Sequence, residues 1–383
     1  MFKTDWSLVI PDPMRHPRIL FLSGNAPPVI DGVGDYADRL LEELRRQRPR
    51  WRWIWLSRRP RWFSSPCSRR KGTLLLQPRR SWNHLSLLHE VVDSLRPDIL
   101  HVQDELYSFH ETTAALDIAS AARAKVVTTL HEFHDEHPKI AITSDLVKAS
   151  NFVIANDSRT SERCLTATGR AVDRILWSGA TILPPAGGHR PKVRSGLVVT
   201  FGFLSGLKSL ETLHESLKVV RISRPDLIWR IIGPFEPETN QEHAALAERF
   251  EPDSGWIELT GAVTDLERLR RLLAEAQAML LPFADGASTR RGTLQVAWAF
   301  GLPTVTTPPR EPTDAIVDGE NVLLVGEHEG WNEAVSRILS DQALADRLRA
   351  GGLESAERFS WQRLASEHLL IYEAILDNPS ATS

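Results

Sequence analysis

The stretch that decides the fold is RILFLSGNAPPVIDGVGDYADRLLEELRR, residues 18–46. Its first five residues, 18–22, are a short and mainly apolar run, which is typical of a parallel strand buried on both faces. Residues 23–34 form a loop rich in Gly and Pro, and residues 35–46 have the apolar spacing of an amphipathic helix. A strand, a glycine-rich loop and a helix in this order predict the first unit of an α/β fold.

The same alternation of apolar runs and amphipathic helices continues to residue 155 and resumes at residue 197. Between the two series, residues 184–188 are a cluster of Pro, Ala and Gly without periodicity, which is typical of a linker. We therefore expect an α/β protein with two Rossmann-like, doubly wound domains that face a cleft. The predicted parts are an N-terminal domain over residues 1–185, a C-terminal domain over residues 186–360, and a C-terminal helix over residues 361–383 that packs back on the N-terminal domain.

The composition favours an ordinary globular protein. The chain has 383 residues, of which 42% are hydrophobic and 25% charged, and its net charge is −3. This content predicts a sizeable core and argues against disorder. The two cysteines, Cys67 and Cys164, do not imply a disulfide framework and favour a cytoplasmic location. No signal peptide and no membrane-spanning helix are expected, because no apolar run reaches the necessary length of about 18 residues.

Residues 45–80 are rich in arginine and tryptophan. This stretch could be a solvated rim around short strands, or it could contact the surface of a membrane and make the protein membrane-associated. Nucleic acid is not an expected partner, because no nucleic-acid-binding motif accompanies the stretch.

The strongest candidate site is PFADGASTRRGTLQVAWAFG, residues 282–301. It follows a predicted buried strand, contains the adjacent residues Arg290 and Arg291, and enters a helix at Gly292. Backbone N–H groups at the start of a helix attract anions, and guanidinium groups bind phosphate oxygens in pairs. This pattern predicts a phosphate site, with a capped helix and solvated arginines as the alternative.

A second candidate site is the turn from strand to helix at residues 201–210. Lys208 lies at the start of the helix, where a positive charge is normally unfavourable. An anion that offsets this charge is one explanation, and a plain surface lysine is the other.

The loop before the first helix contains a third pattern. Residues 32–37, GVGDYA, match the Gly-x-Gly-x-x-Ala form of dinucleotide-binding proteins. These glycines come about ten residues after the strand, whereas the dinucleotide fingerprint lies in the tight turn itself. The spacing therefore argues against NAD and favours a longer loop that reaches across a cleft.

A fourth candidate site is TLHEFHDEH, residues 129–137, which follows a predicted strand. His131, His134 and His137 are spaced three residues apart, but no cysteine and no closed ligand set completes a metal site. We expect no bound metal. His131 is instead a candidate hydrogen-bond donor to a sugar or to a transition state, and a purely structural role is the alternative.

Taken together, these segments resemble the retaining GT-B glycosyltransferases of family GT4. The resemblance runs from about residue 18 to residue 376, and although each motif is weak, their order is specific. The segments that carry it are RILFLSGNAPPVIDGVG (18–34), PDILHVQ (97–103), TTLHE (128–132), VIANDS (153–158), FGF (201–203) with Lys208, IIG (231–233), TGAV (260–263), GLPTV (301–305), VDGEN (317–321) and FSW (359–361).

The resemblance implies that the second domain binds a nucleotide sugar and that the first domain binds the acceptor. It implies that catalysis needs no metal or other cofactor and consists mainly of charge stabilisation and positioning. The residues that it assigns to the donor diphosphate are Lys208, Gly34 and the amides of Gly292, Thr293 and Leu294. The loop's own pattern adds Arg290 and Arg291 as further diphosphate-binding candidates. Asp285 and His131 are the catalytic candidates, with His131 in contact with the donor sugar. Weaker candidates are Gln295, Gly233 and Gly261 for the ribose or base, and Gly32, Glu132 and Gln103 on the acceptor side.

Two positions depart from the family pattern. Phe203 occupies the place of an arginine, and we hypothesise that Arg290 or Arg291 replaces that charge. Asp285 with Gly286 stands for the first family glutamate and its glycine. The second glutamate falls on Val296, so Gln295 beside it is the substitute candidate for the ribose contact.

The expected activity is therefore transfer of a sugar, with retention of configuration, from a nucleotide-diphosphate sugar to a glycan, lipid-linked or small-molecule acceptor. A non-catalytic nucleotide-binding or scaffold protein on the same fold is the main alternative, supported by the absent glutamate. A phosphorylase or an epimerase is a further alternative.

Overall fold

The computed structural model describes residues 16–27, 29, 31–58, 67–77, 82, 85–185, 192–204, 209–310, 313–326 and 330–377. The chain divides into two compact units. The first contains the residues up to Ser178 and those from Trp361 onward, and the second extends from Gly179 to Ser360. The division falls seven residues before the border predicted at residue 185, and the segment from Trp361 belongs to the first unit.

The first unit is built on a sheet of eight strands within the described residues, in the order β3-β4-β2-β1-β5-β6-β7-β8. All neighbours pair in parallel except β3 and β4, which are antiparallel. The strands are β1 (Arg18–Ser23), β2 (Arg52–Leu56), β3 (Cys67–Arg70), β4 (Thr73–Leu76), β5 (Ile99–Asp104), β6 (Lys125–Leu130), β7 (Phe152–Ala155) and β8 (Arg174–Ile175).

The helices of this unit connect the strands and cover the sheet. They are α1 (Gly32–Gln47), α2 (Leu85–Leu95), α3 (Ala114–Ala121), α4 (Ile140–Ala149) and α5 (Ser158–Thr168), joined by the last helix of the chain, α12 (Trp361–Asp377).

Helix α1 begins three residues earlier than the sequence pattern predicts. Asp31 has an extended backbone, and its side chain accepts hydrogen bonds from the N–H groups of Val33 and Gly34. An aspartate in this position satisfies N–H groups that have no partner inside the helix. Gly32 and Gly34 therefore lie in the first turn of α1, and the expectation that they form a long loop is wrong.

A hairpin that the sequence pattern did not indicate forms the edge of the first sheet. Strand β3 has the polar sequence CSRR, and it turns into β4 through Lys71 and Gly72, which have φ angles of 46° and 85°. Two consecutive positive φ angles are typical of the tight turn that joins antiparallel strands. An edge strand has one unpaired side and needs no apolar run, which explains why the pattern missed it.

The second unit contains a six-stranded sheet within the described residues, in the order β11-β10-β9-β12-β13-β14, with every pair parallel. The strands are β9 (Leu197–Phe201), β10 (Ile228–Ile232), β11 (Ile257–Leu259), β12 (Ala278–Leu281), β13 (Thr304–Thr306) and β14 (Leu323–Leu324). The helices are α6 (Leu210–Ser223), α7 (Gln241–Phe250), α8 (Leu266–Ala274), α9 (Gly292–Ala299), α10 (Trp331–Ser340) and α11 (Gln342–Arg358).

Each sheet has a point where the strand order reverses. In the first unit the chain moves from β1 to β2 in one direction and later continues from β5 in the other. In the second unit the reversal lies between β9 and β12. Loops that leave two such strands run in opposite directions and open a crevice at the carboxyl ends of the strands, where ligands bind in this class of sheet.

The C-terminal helix is part of the core of the first unit. Trp361, Leu364, Leu369 and Tyr372 of α12 are buried in the same cluster as Tyr36 and other apolar residues of α1. Arg48, which follows α1, forms an ion pair of 2.7 Å with Glu373. The first unit therefore depends on residues that are more than 300 positions apart in the chain.

We predict that Leu369→Ala lowers the free energy of unfolding by about 2–5 kcal/mol, because it opens a cavity in the core between α1 and α12. The neighbouring residue provides a matched control, since Leu369 is 3% exposed and Leu370 is 61% exposed. Leu370→Ala should change the free energy of unfolding by no more than about 0.5 kcal/mol. Urea denaturation measures both, and equal effects would mean that α12 does not contribute to the core in this way.

Candidate functional site

The loop between β12 and α9 contains most of the predicted donor residues. Gly286 in this loop has a φ of 83°, and a Cβ atom there would lie 2.7 Å from the carbonyl oxygen of Pro308. Only glycine fits such a position without strain. The hydroxyl of Thr307 donates a hydrogen bond of 2.7 Å to the carbonyl of Phe283. The residues after β13 therefore hold this loop in place.

Helix α9 begins at Gly292 without a side-chain cap, because no side-chain hydrogen bond is made at Arg291, its N-cap residue. The N–H groups of Leu294 and Gln295 donate to the carbonyl of Arg291. The N–H groups of Gly292 and Thr293 have no acceptor within the described residues. Two N–H groups at the positive end of a helix are thus available to an anion, as predicted for a phosphate site.

The two arginines of the loop have different surroundings. The guanidinium group of Arg291 forms an ion pair with Asp285 and lies 4.8 Å from the centre of the Phe283 ring. Arg290 is partly exposed at the turn before α9. Arg291 is therefore fixed in position by a carboxylate and an aromatic ring, and its charge is shared with Asp285.

Within the described residues, the buried side-chain oxygens of this segment that have no hydrogen-bond partner include Asp285 Oδ1, Ser288 Oγ and Gln295 Oε1. Gln295 is 1% exposed, and its amide group donates a hydrogen bond of 2.9 Å to the carbonyl of Thr289. A buried polar atom without a partner is unfavourable by about 1–3 kcal/mol. A polar ligand at the start of α9 would supply the missing partners.

Val296, which aligns with the second family glutamate, is buried in the core side of α9. Gln295 is the polar residue that reaches back toward the loop. The structure thus places Gln295 beside the phosphate-site loop and leaves no carboxylate at the neighbouring position.

The loop after β9 meets the loop after β12. The N–H of Ser209, just before α6, donates a hydrogen bond of 3.0 Å to the carbonyl of Pro282. Phe203 is 71% exposed in the same loop. Lys208 lies outside the described residues, so its predicted contact with a diphosphate stays a prediction. The first and second candidate sites of the sequence therefore come together at the reversal point between β9 and β12.

Glycines also follow β10 and β11, the two strands on one side of β9, at the same edge of the sheet. The N–H of Gly233 donates to the carbonyl of Gly261 at 3.3 Å, and a Cβ atom on Gly233 would lie 2.0 Å from the carbonyl oxygen of Gly202. Gly261 has a φ of 65°, with no atom near its absent side chain. Gly233 is thus required by close backbone packing, whereas the space beside Gly261 is open to a ligand.

In the first unit, His131 follows β6 and belongs to a chain of buried polar groups. Its Nε2 lies 3.0 Å from Oε1 of Gln103, whose amide nitrogen lies 3.0 Å from Nε2 of His101. Nδ1 of His101 in turn contacts the hydroxyl of Tyr372, and its Nε2 lies 2.8 Å from Thr129 Oγ1.

The chain of contacts determines the tautomer of His131. An amide oxygen only accepts hydrogen bonds, so Nε2 of His131 must donate to Gln103. Burial lowers the pKa of His131 to about 4, and Asp31 opposes this shift. The neutral ring therefore presents Nδ1 as an acceptor, which differs from the predicted role of His131 as a donor. Its ring also packs edge-on against Tyr36, with 4.6 Å between the centroids.

The glycines of α1 have separate roles. The N–H of Gly34 donates to Asp31, and a Cβ atom on Gly34 would lie 3.0 Å from the carbonyl oxygen of Asn25. Gly34 is thus engaged within its own unit. No atom of the described residues lies within 4 Å of the absent side chain of Gly32, which leaves room for a ligand at the start of α1. Glu132 is partly exposed beside His131.

The other two histidines of the fourth candidate site have structural contacts. His134 lies 3.1 Å from Glu105, and both His134 and His137 pack edge-on against Tyr107. The described part of the chain contains no group of three or more His, Cys, Asp or Glu residues arranged to hold a metal ion. In the same part of the chain, no helix combines the length and the apolar character needed to cross a membrane.

Several site residues were not identified from the sequence. Asp31 could have been found, because an aspartate before a helical pattern is an N-cap signal. Its carboxylate also accepts a hydrogen bond of 2.6 Å from the amide of Asn25. Tyr372 and His101 could not have been found, because their contact joins positions 271 residues apart.

Comparison with known proteins finds a family match within the second unit. The sequence profile of the glycosyl transferases group 1 family matches residues 196–341. The second unit belongs to this family. A D-inositol 3-phosphate glycosyltransferase from Nocardioides is 38% identical to the chain over 78 residues, which are 20% of this chain and 17% of that relative. The chain thus aligns with less than a fifth of the length of that protein.

Solved structures show the fold of the whole chain. Sucrose-phosphate synthase from Thermosynechococcus elongatus has a TM-score of 0.72 and 16% identity, over 95% of this chain and all of that chain. Anabaena HepE in complex with UDP and glucose has a TM-score of 0.65 and 16% identity, over 94% of this chain and all of that chain. The group 1 domain and the first unit therefore have the α/β fold of the GT-B glycosyltransferases, as the resemblance implied.

The buried histidines of the first unit predict a loss of stability in acid. His368 of α12 is fully buried, and burial lowers its pKa from 6.5 to about 4. Between these two values the unfolded chain binds the proton and the folded chain does not, so the free energy of unfolding falls as the pH falls from about 6.5 to 4.

We predict that His368→Leu reduces the difference in the free energy of unfolding between pH 7 and pH 5, because it removes one of the groups that must stay neutral in the folded state. Burial raises the pKa of Asp104 to about 7, so its contribution to the pH dependence of the free energy of unfolding has the opposite sign. Asp104 is present in both proteins, so this contribution cancels in the comparison. Urea denaturation of both proteins at the two pH values measures the effect. An unchanged difference would show that His368 is not the titrating group.

Proposed function

We propose that the protein is a glycosyltransferase that binds a nucleoside-diphosphate sugar in its second unit and transfers the sugar to a hydroxyl group of an acceptor bound by its first unit. One observation carries the proposal. The uncapped start of α9, with the partnerless oxygen of Gln295 beside it, lies at the reversal point of a group 1 domain.

The start of α9 is suited to the diphosphate. The N–H groups of Gly292 and Thr293 would donate to phosphate oxygens, and Arg290 would add a guanidinium group from the preceding turn. Each charge-assisted hydrogen bond contributes about 1.5–3 kcal/mol. Lys208, two positions before α6 in the sequence, is proposed to bind the same diphosphate.

Phe203 in place of the family arginine makes the loop arginines important. Arg291 is held by Asp285 and Phe283, so it can approach a phosphate only at a fixed position. We therefore propose that Arg290 and Arg291 together replace the missing charge, with Arg291 as the group in a fixed position.

Asp285 is proposed to act on the sugar rather than on the diphosphate. In the transfer, the bond from the anomeric carbon to the diphosphate oxygen breaks and a bond to the acceptor oxygen forms. The sugar ring becomes positively charged as the leaving group departs. A carboxylate that is already paired with Arg291 would stabilise this charge without repelling the diphosphate strongly. Retention of configuration, and independence from metal, are part of the proposal on the basis of the resemblance.

The acceptor would be a sugar, a lipid-linked glycan or a small hydroxylated molecule. The open space at Gly32, at the start of α1, gives the acceptor a place in the first unit. Gln103 lies in β5, and His131 and Glu132 follow β6; these two strands come directly after β1 in the order of the sheet. The named activities of the relatives, an inositol phosphate glycosyltransferase and a sucrose-phosphate synthase, make polyol and sugar acceptors the first to test.

We predict that one nucleoside diphosphate among UDP, GDP, ADP and TDP raises the thermal stability of the protein, with UDP as the first choice because it is bound in Anabaena HepE. A ligand at about a hundredfold excess over its dissociation constant stabilises the folded state by about 2.7 kcal/mol. The shift should be the same with magnesium and with EDTA. A stabilising nucleotide should then be released from its sugar conjugate only when an acceptor is present.

No shift with any of the four nucleotides would contradict the donor proposal. A shift without turnover of any sugar conjugate would favour a non-catalytic nucleotide-binding protein. Conversion of the sugar nucleotide alone would favour an epimerase, and NMR of the anomeric proton of a transfer product would test retention.

We predict that the double variant Arg290→Ala, Arg291→Ala binds the stabilising nucleotide at least about tenfold more weakly, because it removes two charge-assisted donors. The double variant Arg268→Ala, Arg271→Ala removes the same charge from exposed positions of α8 and serves as the control. Isothermal titration measures both affinities. If the first variant binds as tightly as the control, the charge-replacement hypothesis is wrong.

A further inference from the structure

The arginine- and tryptophan-rich stretch contains a pocket that the proposed function does not use. Its volume is about 300 Å³, and it is lined by the end of α1, the start of β2 and the β3–β4 hairpin. The side chains that give it its character are Arg45, Arg50, Arg52, Arg69, Trp51 and Trp53. All of these residues belong to the first unit.

The pocket lies at the edge of the sheet opposite to the reversal point. It contains Arg52, Trp53 and Ile54, which open β2, whereas the ligand-binding edge is formed by the carboxyl ends of the strands. A strand of this length spans about 15 Å. The pocket is therefore a separate site on the first unit.

Four arginines line the pocket, and no acidic residue is among its lining residues. The carboxylates of this face are already engaged with other bases: Asp38 pairs with Arg70, Glu42 with Lys71, Glu43 with Arg46 and Glu373 with Arg48.

Within the described residues, Arg45, Arg50 and Arg69 form no ion pair. Like charges that line one pocket repel one another, and a bound anion would relieve the repulsion. The local charge thus favours a ligand with more than one negative charge.

The backbone and the tryptophans shape the pocket. Gly72 allows the guanidinium of Arg45 to lie against the hairpin, because a Cβ atom there would be 2.1 Å from Arg45 Nε. Trp51 stacks on Trp53 with 5.7 Å between the ring centroids, and Trp53 is held by a hydrogen bond of 3.0 Å to the carbonyl of Arg48. The indole N–H of Trp51 has no hydrogen-bond partner in the described part of the chain. It is an additional donor at the pocket.

We propose that this pocket binds a phosphate monoester, with Arg45, Arg50 and Arg69 as ligands. A monoester carries close to two negative charges at neutral pH, and its oxygens match the paired donors of guanidinium groups. The volume is at the lower end of the range for small-ligand sites and suits a phosphate with a short polar group attached.

The same chemical group occurs in two sources, the headgroup of a membrane lipid such as phosphatidic acid and a soluble compound such as glycerol 3-phosphate. An indole beside arginines is also frequent where proteins meet the surface of a bilayer. Comparing the two sources with the same variants separates them.

The test compares the wild-type protein with Arg45→Gln, Arg69→Gln and with the control Arg39→Gln, Arg46→Gln. Both double variants remove two positive charges, and in the control both lie on α1 outside the pocket. Inorganic phosphate and glycerol 3-phosphate are titrated at low salt by calorimetry. Co-sedimentation is measured with vesicles of phosphatidylcholine alone and of phosphatidylcholine with phosphatidic acid. Circular dichroism verifies that each variant is folded.

We expect the pocket variant to bind a phosphate monoester at least about tenfold more weakly than the control variant. Phosphate bound elsewhere on the protein is common to all three proteins and does not affect the comparison. A loss confined to phosphatidic acid vesicles identifies a lipid headgroup as the ligand, and a loss with glycerol 3-phosphate identifies a soluble one. Equal affinities of the two variants in every titration, together with equal sedimentation with the vesicles, overturn the proposal.

Discussion

The second unit depends on buried threonine hydroxyls that bind across the carboxyl ends of its central strands. Thr200 in β9 accepts a hydrogen bond from the indole of Trp229 and donates to the carbonyl of Leu280 in β12. Thr306 in β13 donates to the carbonyl of Leu281. Each hydroxyl donates a hydrogen bond to a backbone carbonyl at the point where the hydrogen bonds between strands end. A buried carbonyl needs such a partner. The loops that start there are thereby fixed at their first residue, and the start of α9 is positioned for an anion.

Much of this arrangement follows from local sequence. Strands such as β9 and β12 are buried on both faces, so they are continuous apolar runs that a sequence displays plainly. Their parallel pairing and the reversal between them follow from the alternation with helices, and the sequence predicted a phosphate site in the loop after β12 for that reason. The elements that were missed have another origin. Helix α5 has the mixed sequence SRTSERCLTAT, and its ends are marked only by the cap Asp157 and by Gly169 at a φ of 72°.

The parts of the site that could not be predicted are those made by distant residues. The tautomer of His131 is set through Gln103 by His101, and His101 is held by Tyr372 at the other end of the chain. No local pattern contains this information. A donor role for His131 is therefore a reasonable inference from residue type alone, whereas the acceptor role at Nδ1 requires the structure. The first N–H groups of α1 also differ from what the sequence suggests. The glycine pattern predicts that they are available to a phosphate, but two of them donate to the side chain of Asp31.

The two helix starts show how one residue changes what a glycine-rich segment can bind. Asp31 places a carboxylate at the N-terminus of α1, so an anion would meet both repulsion and N–H groups already in use. Arg291 occupies the same position in α9, and its side chain turns away to Asp285 and Phe283. The first arrangement favours a neutral, hydroxylated ligand and the second an anion. This difference follows from a single N-cap residue in each unit, and it supports the proposal that the diphosphate binds the second unit and the acceptor hydroxyl the first.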